Sequence, residues 1–132
     1  MRHPALEVAE YINDKGYASL YKDLFVDMLP DLENDCTAVY TTGGSLPDIY
    51  LPIGSPSFEI LVRSDSAESA YSRICRIVED LHMTYNTTLV DEGNYYYSIL
   101  LMGEINNLGR DEKGRIEYSA NFRCKVRGRE IC

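Results

Sequence analysis

The chain has 132 residues and a mass of 15.0 kDa, which is one domain's worth, because compact domains cluster near ~100–150 residues. With 45% apolar and 26% charged residues, it can bury about two thirds of its unfolded surface, and wholesale disorder is excluded. Its 13 basic against 21 acidic residues give a net charge of −8, which opposes general attraction to nucleic acid or to an anionic membrane.

The opening MRHPALEVAEYINDKG carries Glu7 and Glu10 where a signal peptide has its apolar stretch, so it reads as mature protein. Within it, Leu6, Ala9 and either Val8 or Ile12 fall at helical spacing, and Pro4 suits a first helical turn. The spacing predicts a helix over Pro4–Asp14, ended by Gly16. From Leu24 to Leu29 the alternation favours a short strand, broken at Pro30-Asp31. Cys36 to Thr41 is β-branched and aromatic, a strand running into a turn at Gly43-Gly44. That turn lacks the Lys-Ser/Thr and the helix a phosphate cradle needs, and reads as a simple turn. The stretch Cys36 to Pro47 is the longest between charges, far short of the ~20 apolar residues of a membrane-spanning helix.

The loop SLPDIYLPIGSPS follows, whose Pro47 and Pro52 deny the donors a central strand needs, so it reads as ordered surface chain. Phe58, Ile60 and Val62 alternate with Glu59, Leu61 and Arg63, a strand whose second face is only partly solvated. The clearest helix begins after Asp65, read as the cap with Glu68 closing a capping box. Ala67, Ala70, Tyr71, Ile74, Val78, Leu81 and Tyr85 form its expected buried stripe. After the turn Asp91-Glu92-Gly93-Asn94, YYYSILLM is apolar on both sides and reads as a strand buried between layers. The chain turns at Gly103, runs briefly to Leu108, and enters the charged loop Gly109 to Arg115. Then Ile116, Tyr118, Ala120, Phe122, Cys124 and Val126 alternate without a break against Glu117, Ser119, Asn121, Arg123, Lys125 and Arg127. This predicts a twelve-residue antiparallel strand with one dry and one wet face. The expected fold is one α+β domain over residues 1–132, a mostly antiparallel sheet of about five strands packed against two helices.

No catalytic set stands out. His3 and His82 have no metal partner at ligand spacing, and Cys75 and His82 lie about 10 Å apart along one helix, too far to pair. Cys36, Cys75, Cys124 and Cys132 form no CxxC pair and read as reduced structural thiols. Asp23, Asp27, Asp31, Glu33 and Asp35 make an acidic run, but Pro30 and the lack of a central Gly exclude a calcium loop. A solvated or partner-facing acidic surface is the better reading. Tyr95, Tyr96 and Tyr97 alternate in direction along a strand and make no single stacking platform.

The charge is unevenly placed. Met1 to Asn106 holds 6 basic and 17 acidic residues, net −11, and Asn107 to Cys132 holds 7 and 4, net +3. Within one molecule this is modest surface electrostatics. Between molecules it is the arrangement of a head-to-tail ring, which joins two different patches around a closed axis. Arg123, Lys125 and Arg127, with Arg129 beyond, are the candidate basic patch, and a strand face kept soluble by its charges is the plainer alternative.

LGRDEKGRIEYSANFRCKVR, with MLPDLENDCTAVYTTGG and SAESAYSRICRIVEDL, resembles a family of small bacteriophage minor capsid proteins related to tail terminators. The likeness runs from about Leu24 to Val126 and is carried by a Gly-Arg-Asp-x-x-Gly-Arg hairpin tip leading into a long amphipathic strand. It implies an α+β subunit closing into a ring, commonly a hexamer, at the junction of tail tube and head. It implies no enzymatic activity and no cofactor. The implied partners are further copies of the chain and the neighbouring connector and tail tube proteins, without membrane or sequence-specific nucleic acid. The implied location is the virion, and the bacterial host cytoplasm before assembly. The tip, with Arg110, Asp111, Lys113 and Arg115, and the strand, with Arg123, Lys125 and Arg127, are then candidate assembly surface. Asp27, Asp31 and Glu33 are the acidic counterpart. A small α+β enzyme or ligand-binding domain using a tyrosine-rich pocket is the second reading, distinguished by a deep apolar cleft with convergent polar groups.

Overall fold

A computed structural model of the chain describes residues 3–31, 34–46 and 50–128. Among the described residues, two helices and eight strands follow the order α1 (Pro4–Asp14), β1 (Leu24–Val26), β2 (Cys36–Thr42), β3 (Ile53–Gly54), β4 (Ser57–Ser64), α2 (Ala67–Leu81), β5 (Thr84–Thr88), β6 (Tyr95–Leu101), β7 (Asn106–Arg110) and β8 (Ile116–Arg127). The α+β class stands, but the expectation of about five mostly antiparallel strands is corrected to a mixed sheet of eight. Its main path is β1-β2-β4-β8-β6-β5, with β3 and β7 each pairing β8, and β1 runs parallel to β2.

The organising element is β8. One of its edges pairs β4 over residues 116–123 and β3 at 126–127; the other pairs β7 over 116–119 and β6 over 122–126. Four shorter strands share one template, which accounts for a strand about twice the usual length. Its inward residues Ala120, Phe122, Cys124 and Val126 are fully buried, while Arg123, Lys125 and Arg127 are exposed, as the alternation predicts.

Both helices cover the inward face, α1 over β1 and β2, α2 over β4, β8 and β6. Phe58 of β4 stacks on Phe122 of β8 with ring centroids 5.0 Å apart. From α1 the core takes Ala5, Val8, Ala9 and Ile12, with Leu6 only partly covered; from α2 it takes Ala70, Ile74, Ile77, Val78 and Leu81. The expected α2 stripe needs correction at three points. Ser66, not Asp65, caps the helix, its hydroxyl accepting from Ser69 N at 3.3 Å. Tyr71 is exposed and packs edge-on against Tyr118, leaving its place in the stripe to Ile77. The helix stops at Leu81, because His82 is extended and Met83 is left-handed at φ 61, so Tyr85 lies on β5.

Strand differences have local causes. Asp27 at φ 57 ends β1 three residues earlier than the alternation suggests. On β6 the register shifts between Tyr96 and Ser98, so that Tyr96 and Ile99, three apart, both reach the core. The neighbours of Tyr96 and Ile99 are therefore half-covered rather than buried on both faces. β5 and β7, which read TYNTT and NNLGR, carry no apolar alternation and gave no strand signal. Asn86 within β5 is left-handed at φ 52, and Gly109 within β7 at φ 89.

Two polar clamps fasten the helices. Glu7, 1% exposed, accepts from Tyr96 Oη at 2.8 Å and from Asn94 N at 2.9 Å, tying α1 to β6 and to the turn before it. Burial first and the Glu7 carboxylate second push the Tyr96 hydroxyl well above the usual phenol range, so it stays a donor. Asp80 of α2 accepts from Tyr11 and Tyr17, both at 2.7 Å, tying α1 to α2.

Replacing Glu7 by Ala should cost about 1–3 kcal/mol, because the Tyr96 hydroxyl is left buried without its acceptor. Gly93→Ala should destabilise through the same clamp, since a Cβ there collides with Glu7 Oε2. Ile74→Ala should cost about 2–5 kcal/mol through the cavity it opens. Denaturant unfolding of the three variants beside the wild type measures each value.

Candidate functional site

The expected assembly residues fall into separate places. The first is the β7–β8 tip. Asp111 organises the turn, its Oδ1 accepting from Lys113 N at 3.0 Å and Arg115 N at 2.9 Å. Its Oδ2 accepts from Arg115 Nε at 2.8 Å, and Arg110 Nη1 donates to the Gly114 carbonyl at 2.5 Å. Gly114 sits at φ 77, a left-handed turn position that suits glycine.

Asp31, more than eighty residues earlier in the chain, joins this tip. It pairs with the Arg115 guanidinium, and Lys113 Nζ lies 2.9 Å from its Oδ2. Arg115 is only 3% exposed, so its charge is spent inside the molecule. Lys113 and then Arg115 hold the Asp31 carboxyl below the usual carboxylate range. Burial pushes Asp111 the other way, but the bonds from Arg115 and Lys113 outweigh it and leave that carboxyl low as well. A second buried arginine, Arg63, donates from Nη2 to the Pro30 carbonyl at 2.7 Å, so the segment leading to β2 is pinned beside the tip.

The second place is the wet face of β8. Arg123 and Lys125 are exposed, and Lys125 Nζ donates to Ser55 Oγ at 2.8 Å. Arg127 lies over the Tyr95 ring, 4.4 Å from its centroid, and donates from Nε to Tyr97 Oη at 3.3 Å. Tyr95 and Tyr97 meet edge-on at 5.3 Å. These two tyrosines form a surface group with Arg127, while Tyr96 between them is spent in the core clamp, so the three do not share one face. The sequence pattern missed this group, and the signal lay in the i,i+2 tyrosines facing a basic strand, obscured by the β6 register shift.

Asp27 stands apart. Its carboxylate accepts from Thr41 N at 2.6 Å and Thr41 Oγ1 at 3.1 Å, with His3 Nε2 3.2 Å away. Burial raises this carboxyl, but the Thr41 bonds and His3 outweigh it and hold it low. Glu33 and Arg129 lie outside the described residues. The structure thus brings Asp31 to Asp111, Lys113 and Arg115, and leaves Asp27 and the Arg123 to Arg127 row elsewhere.

His82 and two of the thiols are engaged or buried. His82 Nδ1 accepts from Leu101 N at 2.9 Å. Cys36 and Cys124 are buried, and burial pushes the Cys124 thiol up to about 12, a poor nucleophile. Among the described residues, no group of three or more His, Cys, Asp or Glu is placed to hold a metal ion. Among them, too, no helix is long and apolar enough to cross a membrane.

The chain is a small α+β domain with a charged, exposed strand face. Residues 11–127 match the family described as bacteriophage tail terminator protein, and the chain belongs to that family. It is a phage structural protein. A chain in the virion of a native gene transfer agent particle shares the fold, with TM-score 0.62 and 18% identity over 95% of this chain and 96% of that one. No curated protein sequence matches the chain.

The low carboxyls at the tip set a pH dependence. Because Asp31 and Asp111 titrate below their ordinary value of 3.8 in the folded state, their contribution is complete above that value and disappears as pH falls through the folded values. Amide exchange at Lys113 and Arg115 should stay slow down to that value and quicken only below it. Asp111→Asn should quicken it already at neutral pH.

Proposed function

We propose that the chain is a non-enzymatic ring subunit at the head-tail joint of a phage or prophage, a minor capsid protein of tail-terminator type. The family match over residues 11–127 carries this reading. A ring, with a hexamer as its expected size, is built from copies that meet through unlike patches. The basic row Arg123, Lys125 and Arg127 is one patch, since it is exposed on an otherwise acidic molecule. The tip residues Arg110, Asp111 and Lys113 present a second surface, with Arg115 buried beneath them. Asp31 already answers part of the tip's charge within the chain, so the acidic face meeting the basic row draws on the remaining carboxylates, Asp27 and Glu33 among them. The neighbours above and below are connector and tail tube proteins, the mature location is the virion, and the host cytoplasm holds the subunit before assembly.

Light scattering over a range of concentration and salt should show a defined oligomer favoured at high concentration and low salt. A strictly monomeric protein under those conditions contradicts the reading. Arg123→Glu combined with Arg127→Glu should abolish the oligomer while leaving the monomer folded by circular dichroism. Normal assembly of that double variant would remove the basic row from the interface.

A further inference from the structure

The outer side of the helix layer holds a feature that the assembly surfaces above do not use. Where α1 ends, Gly16 and Tyr17 face the stripe Ser69, Ser72, Arg73 and Arg76 of α2, and together they line a polar dent of about 290 Å³. The spacing i, i+3, i+4, i+7 puts the two hydroxyls and two guanidinium groups on one helix face. Nη1 of Arg73 is buried and meets no hydrogen-bond partner among the described residues. Neither Arg73 nor Arg76 forms an ion pair among the described residues.

That absence is unexpected in a chain of net charge −8, where carboxylates outnumber bases heavily. A carboxylate of the same helix, Asp80, is committed to the Tyr11 and Tyr17 hydroxyls at 2.7 Å each. A buried guanidinium nitrogen without an acceptor is costly, and such a group calls for an explanation. Paired guanidinium forks with flanking hydroxyls are suited to an oxyanion, which accepts several charge-assisted bonds at once.

We propose that this dent is an oxyanion-binding site, filled in the assembled particle by a carboxylate side chain of a second copy of the chain. The site itself follows from the α2 geometry; the second copy as its source rests on the ring reading. Charge favours that source: 17 of the first 106 residues are acidic, whereas only 6 are basic and Arg73 and Arg76 are two of those. Each copy therefore offers many carboxylates and, on its helical side, a dent that holds two of these six bases.

Inorganic phosphate is the probe for the site. Titrated into the isolated protein, it should shift the side-chain Nε–Hε resonances of Arg73 and Arg76, while sodium chloride at equal ionic strength should not. Arg73→Gln should weaken the binding by about tenfold, as expected for loss of a charge-assisted bond, and Arg73→Lys should restore part of it. Resonances that do not respond to phosphate overturn the site, whatever the oligomeric state. For the source, the Arg76→Lys variant treated with a carbodiimide should form a zero-length covalent dimer, and peptide mass spectrometry should place the new amine at position 76 against a carboxylate of another copy. Phosphate binding without such a dimer, in protein that self-associates, overturns the second copy as occupant. Displacement of the phosphate by duplex DNA at equal ionic strength overturns it in favour of a nucleic-acid backbone.

Discussion

The fold depends on β8 having both of its edges filled along almost its whole length. A backbone strand buried on one face must find partners for its amides and carbonyls on both sides, and here four shorter strands share that duty. β4 is the longest of them and brings Phe58 onto Phe122, which sets the centre of the core. β3 and β7 are so short or so polar that neither would persist alone; they exist because β8 leaves room for them. The chain's order of assembly in space is thus set by its last strand.

Around that template, polar groups do the fastening that a small apolar core leaves undone. Glu7 and Asp80 each gather two donors and draw α1 onto β6 and α2. On the opposite face, Arg63 and Arg115 reach the carbonyl of Pro30 and the carboxylate of Asp31, holding the connection between β1 and β2 against the sheet. The two faces differ in purpose as a result. The inward face is dry and covered by helices, whereas the outward face combines buried anchors near the tip with exposed cations farther along β8. The ring proposed above would use this division, the core securing each copy and the outward charges meeting its neighbours.

Much of this was legible in the chain itself. The bounds of α1 and β8 agree with the pattern to the residue, because an unbroken 3.6 or 2.0 period is a local property that tertiary packing had no reason to override. The resemblance carried by the tip and the long strand led to the family that the comparison shows. What escaped were features decided at a distance. β5 and β7 have no apolar phase of their own and become strands only by pairing with β6 and β8. The β6 phase change comes from a register shift that no composition reveals. Asp31 looked like one member of a solvated acidic run, yet it finds Arg115 more than eighty residues away, a pairing that depends on how the connection folds back over the sheet. The candidate site was accordingly readable in its residue types and only partly in its grouping.

The left-handed residues on the outer strands also bear on how copies can meet. β1 ends at Asp27, φ 57; β5 is interrupted at Asn86, φ 52; β7 at Gly109, φ 89. β5 and β7 each pair with one strand, β1 pairs β2 and is bridged at Leu24 to Leu20, and each is ended or broken where an approaching strand would need a straight run of donors and acceptors. Such breaks discourage edge-to-edge zippering, the route by which exposed sheets grow into fibres. On the proposed ring reading, copies would recognise one another through side chains on surfaces rather than through strand edges.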